Sequence, residues 1–69
     1  MLYYIKLSGM EDAYLEEIIN KNGRPEEIRY TSAITRAKIY EDEEMAKRDA
    51  GIIPVIFNRK TSGIVTPAT

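Results

Sequence analysis

The segment Asp42-Glu43-Glu44-Met45-Ala46-Lys47-Arg48-Asp49-Ala50-Gly51-Ile52-Ile53-Pro54-Val55-Ile56-Phe57 decides how the rest of the chain is read. Its first nine residues have the signature of a short helix. Asp42 is a good N-cap, and Glu43 and Glu44 occupy the first turn, where the helix dipole favours negative charge. Lys47 and Arg48 lie toward the other end, and Gly51 suits the left-handed position just past a helix. Met45, Ala46 and Ala50 give only a thin apolar stripe, so the helix relies on packing. Ile52–Phe57 is apolar at every position, as in a strand covered on both faces. Pro54 cannot donate to a ladder and places that strand at an edge or a bulge. The segment therefore reads as helix Asp42–Ala50, Gly51 at positive φ, and a closing strand Ile52–Phe57.

Working outward, Leu2–Leu7 is aromatic and β-branched and ends at Ser8-Gly9, which predicts a strand with Tyr3, Ile5 and Leu7 on one face and Leu2, Tyr4 and Lys6 on the other. Met10–Asn22 fits two periods. Met10, Tyr14, Leu15, Ile18 and Ile19 suit an amphipathic helix, while Tyr14–Ile19 suits a strand folding back on the first. Asn22-Gly23-Arg24-Pro25 is dense in turn residues, and Glu27–Thr31 reads as a strand. Thr31 or Ser32 can cap a short helical turn carrying Ile34 and Ala37, followed by an extended Lys38-Ile39-Tyr40. Arg59–Thr69 is polar, with Gly63 and Pro67, although Ile64-Val65 has strand character. These elements give an α+β class: a small antiparallel, mostly meandering sheet with one main helix on one face. The expected organisation is a single domain over 1–60 with a flexible tail over 61–69. The expected core is Tyr3, Ile5, Leu7, Ile28, Ile34, Ile39, Met45, Ala46, Ile53, Val55 and Phe57.

The chain has 69 residues, with 43% hydrophobic and 30% charged, which suits a globular fold rather than a disordered one. A chain of about 60 residues buries only about 60% of its unfolded surface. There is no Cys and no His, so no disulfide and no thiolate zinc site can staple it. The usual nucleophile–base pairs are absent too, and no phosphate-binding glycine pattern occurs. No catalytic residue, cofactor or metal ligand is assigned, and the chain is not expected to be an enzyme. Glu41–Glu44 lacks the alternate spacing of a calcium loop and is accounted for as helix capping and a solvated face. No apolar run approaches the roughly 20 residues of a membrane span. The start lacks the basic end and apolar core of a signal peptide, so a cytoplasmic location is expected.

Net charge is -1, but unevenly spread. Residues 45–69 carry four basic side chains against Asp49 alone, and residues 1–44 carry six basic against ten acidic. Five tyrosines against one Phe and no Trp is a skewed aromatic choice that serves half-buried strand faces and recognition surfaces alike.

The stretch Tyr30-Thr31-Ser32-Ala33-Ile34-Thr35-Arg36-Ala37-Lys38-Ile39-Tyr40-Glu41-Asp42-Glu43-Glu44-Met45-Ala46, with the opening Tyr3-Tyr4-Ile5-Lys6, resembles small uncharacterised accessory proteins encoded by bacteriophages and prophages. These begin with a Tyr-rich strand and a short Tyr-Leu strand. They continue through Ala-Lys-(Ile/Arg)-(Tyr/Phe), an acidic helix start containing Glu-x-Ala, a Gly and a closing strand. Tyr14-Leu15 matches the second element, which favours strand over helix there. The likeness spans most of residues 3–57. It departs at Ile52-Ile53-Pro54 and in the extra tail, and it carries no catalytic residue. It implies a protein that binds and modulates a host or phage protein in the bacterial cytoplasm, inhibition of a host process or defence system being one form. Partner-binding candidates are Tyr4, Tyr14, Tyr30, Ile56, Arg59 and Lys60. Two alternatives stand beside this: a small nucleic-acid-binding regulator using Arg36, Lys38, Arg59 and Lys60, and a ligand-sequestering oligomer. A homodimer or higher oligomer is expected, through a patch of Leu2, Tyr4, Ile52 and Ile56 on the sheet face away from the helix.

An excess of three positive charges is small beside the roughly six to ten phosphate contacts of a strong binder. Duplex DNA and RNA are therefore expected to bind more weakly than about 1 µM at about 0.15 M salt, which a fluorescence-anisotropy titration checks.

Overall fold

A computed structural model describes residues 1–68. Strands β1 (Tyr3–Leu7), β2 (Tyr14–Lys21) and β3 (Arg24–Thr31) form a meander. A 3₁₀ turn (Ile34–Arg36) and a linker lead into helix α1 (Glu43–Ile56), and β4 (Gly63–Pro67) returns to the sheet. The sheet order is β3-β2-β1-β4, every neighbouring pair is antiparallel, and α1 packs on one face. The α+β class and the meander hold, and Tyr14–Lys21 is a strand.

The helix differs from expectation at its C-terminal half. It does start at Asp42, whose Oδ1 accepts a hydrogen bond from the Glu44 N–H at 2.9 Å. It does not stop at Gly51, which has no positive φ, but runs on through Pro54 to Ile56. The periodicity explains why. Ala46, Asp49, Ala50 and Ile53 fall at i, i+3, i+4 and i+7, and all four are buried. Ile53 is 0% exposed, and full burial of such a side chain contributes about 1.5–3 kcal/mol. Gly51 costs about 1 kcal/mol and Pro54 up to about 3 in a helix interior. Ile53, with partial burial of Ile52 and Ile56, offsets much of that. Read as a strand, Ile52–Phe57 would need cover on both faces, yet Val55 is 81% exposed.

The closing strand lies instead within the supposed tail. Gly63–Pro67 pairs along its whole length with β1, from Tyr3–Pro67 to Leu7–Gly63. The expectation of a flexible 61–69 is corrected for all but Thr69, which lies outside the described residues. Thr61 is buried, and the Ser62 N–H donates to Ser8 Oγ at 3.1 Å. The polar composition misled because β4 is an edge strand in which only Gly63, Val65 and Pro67 face α1.

The core is Ile5, Leu7, Ala13, Leu15, Tyr40, Ala46, Ala50 and Ile53, with Tyr3, Met10, Ile18, Ile28 and Val65 packed against it. Of the expected core, Ile34, Ile39, Met45, Val55 and Phe57 are exposed. Met45 and Val55 lie off the buried stripe of α1, Phe57 is the cap residue just past its end, and Ile34 sits in the 3₁₀ turn. The cap of that turn is Ala33, with no side-chain bond; Thr31 Oγ1 accepts from the Ala33 N–H at 3.1 Å instead.

Two local features shape the sheet. Asn22 and Gly23, at φ 55° and 76°, form the two-residue loop closing Lys21 onto Arg24, the positive-φ pair of a type I′ turn. The β2–β3 register shifts by one residue at Glu16 and again at Glu26. The first bulge turns Leu15 and Ile18, three residues apart, toward the same core.

On the β4 side the helix approaches closely. A Cβ added at Gly63 would lie 2.8 Å from Ala50 Cα and 2.9 Å from Ile53 Cδ1. A Cβ at Gly51 meets nothing within 4 Å. Gly51→Ala is therefore expected to stabilise the protein by about 1 kcal/mol. Gly63→Val should destabilise it by about 1–3 kcal/mol or more through overpacking. Urea unfolding of the two variants checks both signs.

Candidate functional site

The linker Lys38–Tyr40 organises the middle of the molecule. β1 and β2 share one ladder pair, Lys6–Tyr14, and then part. Where they diverge the linker bonds to both. The Tyr3 and Tyr40 backbones exchange two hydrogen bonds of 2.8 Å, and the Lys38 N–H donates to the Leu15 carbonyl at 2.9 Å. The alternation at this bridge sends the Tyr40 side chain inward. Its hydroxyl donates to Asp49 Oδ2 on α1 at 2.5 Å, and both residues are buried. Burial, and then the neighbouring carboxylate, push the Tyr40 phenol far above the ordinary tyrosine range, so it stays a protonated donor.

Holding the linker here leaves a cleft of about 300 Å³ between α1 and the β2–β3 hairpin. Ile18, Pro25 and Ile52 form its apolar walls, and Asn20, Lys38, Arg48 and Asp49 supply polar groups. The Lys38 ammonium sits 5.2 Å from the centre of the Tyr40 ring, and Arg48 Nε lies 3.8 Å from Asp49 Oδ1.

Among the described residues, no helix packs on the opposite sheet face. The register puts Tyr14, Lys6 and Ile64 in one row and Tyr4 and Thr66 in the next. Tyr4 and Tyr14 are half-buried and meet edge to face, with ring centroids 5.6 Å apart. Exposed Leu2 and Ile64 lie on the same face. Farther along β2 and β3 the face becomes polar, with ion pairs Glu17–Arg29 and Lys21–Glu27, both at 3.1 Å.

The six partner-binding candidates thus separate. Tyr4 and Tyr14 are together on the open face. Tyr30 is on β3 facing α1, its ring 5.7 Å from that of Phe57. Ile56 is in the last turn of α1, and Arg59 and Lys60 are exposed in the turn beyond it. The expected patch of Leu2, Tyr4, Ile52 and Ile56 does not form, because Ile52 and Ile56 belong to the helix on the other side of the sheet. Sequence reasoning missed the Tyr40–Asp49 pair. Its signal was a charged residue on the apolar stripe, visible only once the helix is carried past Gly51.

Among the described residues, no cluster of three or more Asp and Glu side chains could hold a metal ion, and no helix is long and apolar enough to cross a membrane. The chain matches no protein-family model, and neither a curated protein nor a solved structure is significantly similar to it.

Replacing Tyr40 by Phe removes a buried hydrogen bond to a charged group and should destabilise the fold by about 1.5–3 kcal/mol. The raised phenol contributes stability that is full below the unfolded tyrosine value of about 10 and is lost as pH rises above it. Urea midpoints of wild type and Tyr40→Phe should therefore converge above about pH 10; a constant gap would contradict the assignment.

Proposed function

We propose that this chain is an accessory protein of the bacteriophage type that binds and modulates another protein, using the open sheet face centred on Tyr4 and Tyr14. The observation that carries this reading is the composition of that face. A half-buried tyrosine pair with Leu2 and Ile64 beside it, 39% and 48% exposed, adjoins an ion-paired polar region. An aromatic centre beside a polar margin is the usual layout of a protein interface. The resemblance to small phage proteins supports the same reading.

The sheet edges favour a face over an edge as the contact. The Ala68 N–H donates to the Leu2 carbonyl and the Ser8 N–H to the Ser62 carbonyl, so Gly63, Val65 and Pro67 turn their backbone groups to the outer edge. Pro67 has no N–H to offer there. On β3, Pro25 follows the hydrogen-bonded pair Lys21–Arg24, so its nitrogen also faces outward. Proline at an outward edge position obstructs strand addition. When no partner is present, a second copy takes the open face and the protein is a homodimer, which adds the burial that a 69-residue chain lacks.

Light scattering coupled to gel filtration at about 100 µM is expected to give a dimer for wild type and a folded monomer for Tyr14→Glu, since a charge placed in an interface core carries a desolvation penalty. In affinity capture from bacterial lysate, Tyr14→Glu should lose the protein that wild type and Val55→Glu both retain. A monomeric wild type together with capture unaffected by Tyr14→Glu would overturn the reading.

A further inference from the structure

We infer that the cleft between α1 and the β2–β3 hairpin binds a small zwitterion, an amine and a carboxylate on one carbon that also bears a short apolar side chain, as in a free aliphatic amino acid. The site lies on the helix side of the sheet and does not depend on the proposal for the open face. Its depth is set by Asp49, whose side chain is 12% exposed. Oδ2 is occupied by the Tyr40 hydroxyl. Among the described residues Oδ1 takes part in no hydrogen bond, and Arg48 Nε, at 3.8 Å, is beyond hydrogen-bond distance. Among the described residues no buried side-chain nitrogen or oxygen lacks a partner. Oδ1 therefore keeps contact with solvent, and Asp49 is one of the residues that line the cleft.

Two cations, Lys38 and Arg48, line the same cleft as Asp49. Lys38 has no carboxylate within 4.0 Å among the described residues, and Arg48 reaches only the long contact to Asp49. Both are exposed. A ligand bearing only an anion would meet the Asp49 carboxylate. One bearing only a cation would meet Lys38 and Arg48. A wholly apolar one would desolvate Lys38 without a partner and leave Arg48 and Asp49 only their long mutual contact. A molecule that presents an ammonium inward and a carboxylate at the rim satisfies every charge. Its carbon skeleton then rests between Ile18 on β2 and Ile52 on α1, with Pro25 closing the side. A volume of about 300 Å³ is at the small end of ligand sites, which fits a compact metabolite.

Titration of the full ¹⁵N-labelled chain with leucine, 3-methylbutylamine and 4-methylpentanoate separates the possibilities, because the three share the isobutyl group and differ in whether they carry the ammonium, the carboxylate or both. Leucine is expected to shift the amides of Asn20, Lys38, Arg48 and Asp49 saturably, with a Kd of about 1 mM or tighter, and the other two to bind at least about tenfold more weakly. Lys38→Gln, a surface change that leaves Asp49 and Tyr40 in place, should weaken leucine by about tenfold. Asp49→Asn should abolish its binding in protein that remains folded. No saturable shift with leucine up to about 10 mM would overturn the inference. Equal affinity for either singly charged analogue, or a Lys38→Gln variant that binds like wild type, would do so as well.

Discussion

Tyr40 holds three parts of the molecule at one point. Its backbone exchanges two hydrogen bonds with Tyr3 at the start of β1, and its hydroxyl donates to Asp49 in the middle of α1. Without this residue the linker from β3 to α1 would cross the open end of the sheet with unpaired backbone groups. Where β1 and β2 diverge, Tyr3 bonds instead to Tyr40 and Leu15 to Lys38, so a displaced linker would leave both strands without partners there. Buried polar groups are expensive to leave unpaired, so the linker's position is tightly specified. The surface ion pairs of the β2–β3 hairpin and of the first helix turn are exposed and contribute little by comparison.

From that point the asymmetry of the molecule follows. On the β4 side α1 comes down until Ala50 and Ile53 touch the backbone at Gly63, and only a shallow, open groove lies outside that contact. On the other side the linker and the diverging hairpin keep α1 away from Asn20 and Pro25, and the cleft opens there. One helix covers only one face, so the tyrosine pair on the reverse face stays in contact with water. A close contact, a cleft and an open face are thus three results of one packing arrangement. The functional proposals attach to the last two.

The strands and the helix start were legible because their signals are local. Asp42 with two following carboxylates is a capping pattern, and Tyr3–Leu7 alternates cleanly. The run Met10–Asn22 resisted a decision for a physical reason. The bulge at Glu16 shifts the strand's alternation by one residue and places Leu15 and Ile18 on the same side, a spacing also found on helices. Gly51 and Pro54 look like punctuation, but buried Ile53 outweighs them, and such tertiary burial cannot be seen in a window of sequence. β4 was obscured for the opposite reason: with Gly63 and Pro67 among its three inward positions, it shows little of the apolar pattern expected of a strand. The cleft was invisible because its lining comes from β2, β3, the linker and α1, which only the fold brings together. Of the proposed interface, Tyr4 was singled out by the alternation of the first strand and Tyr14 by the Tyr-Leu element of the resemblance, while their meeting depends on the β1–β2 register.

Native-state hydrogen exchange at Tyr3, Lys38 and Tyr40 tests most directly whether the linker is part of the sheet. If Tyr40 is the clamp described, these three amides exchange only through global unfolding, with the same opening free energy as the amides of Leu7 and Ile53. Exchange at Lys38 and Tyr40 as fast as at exposed Thr35 and Arg36, while Leu7 and Ile53 remain protected, would show that the linker is a loose connection and would contradict the account.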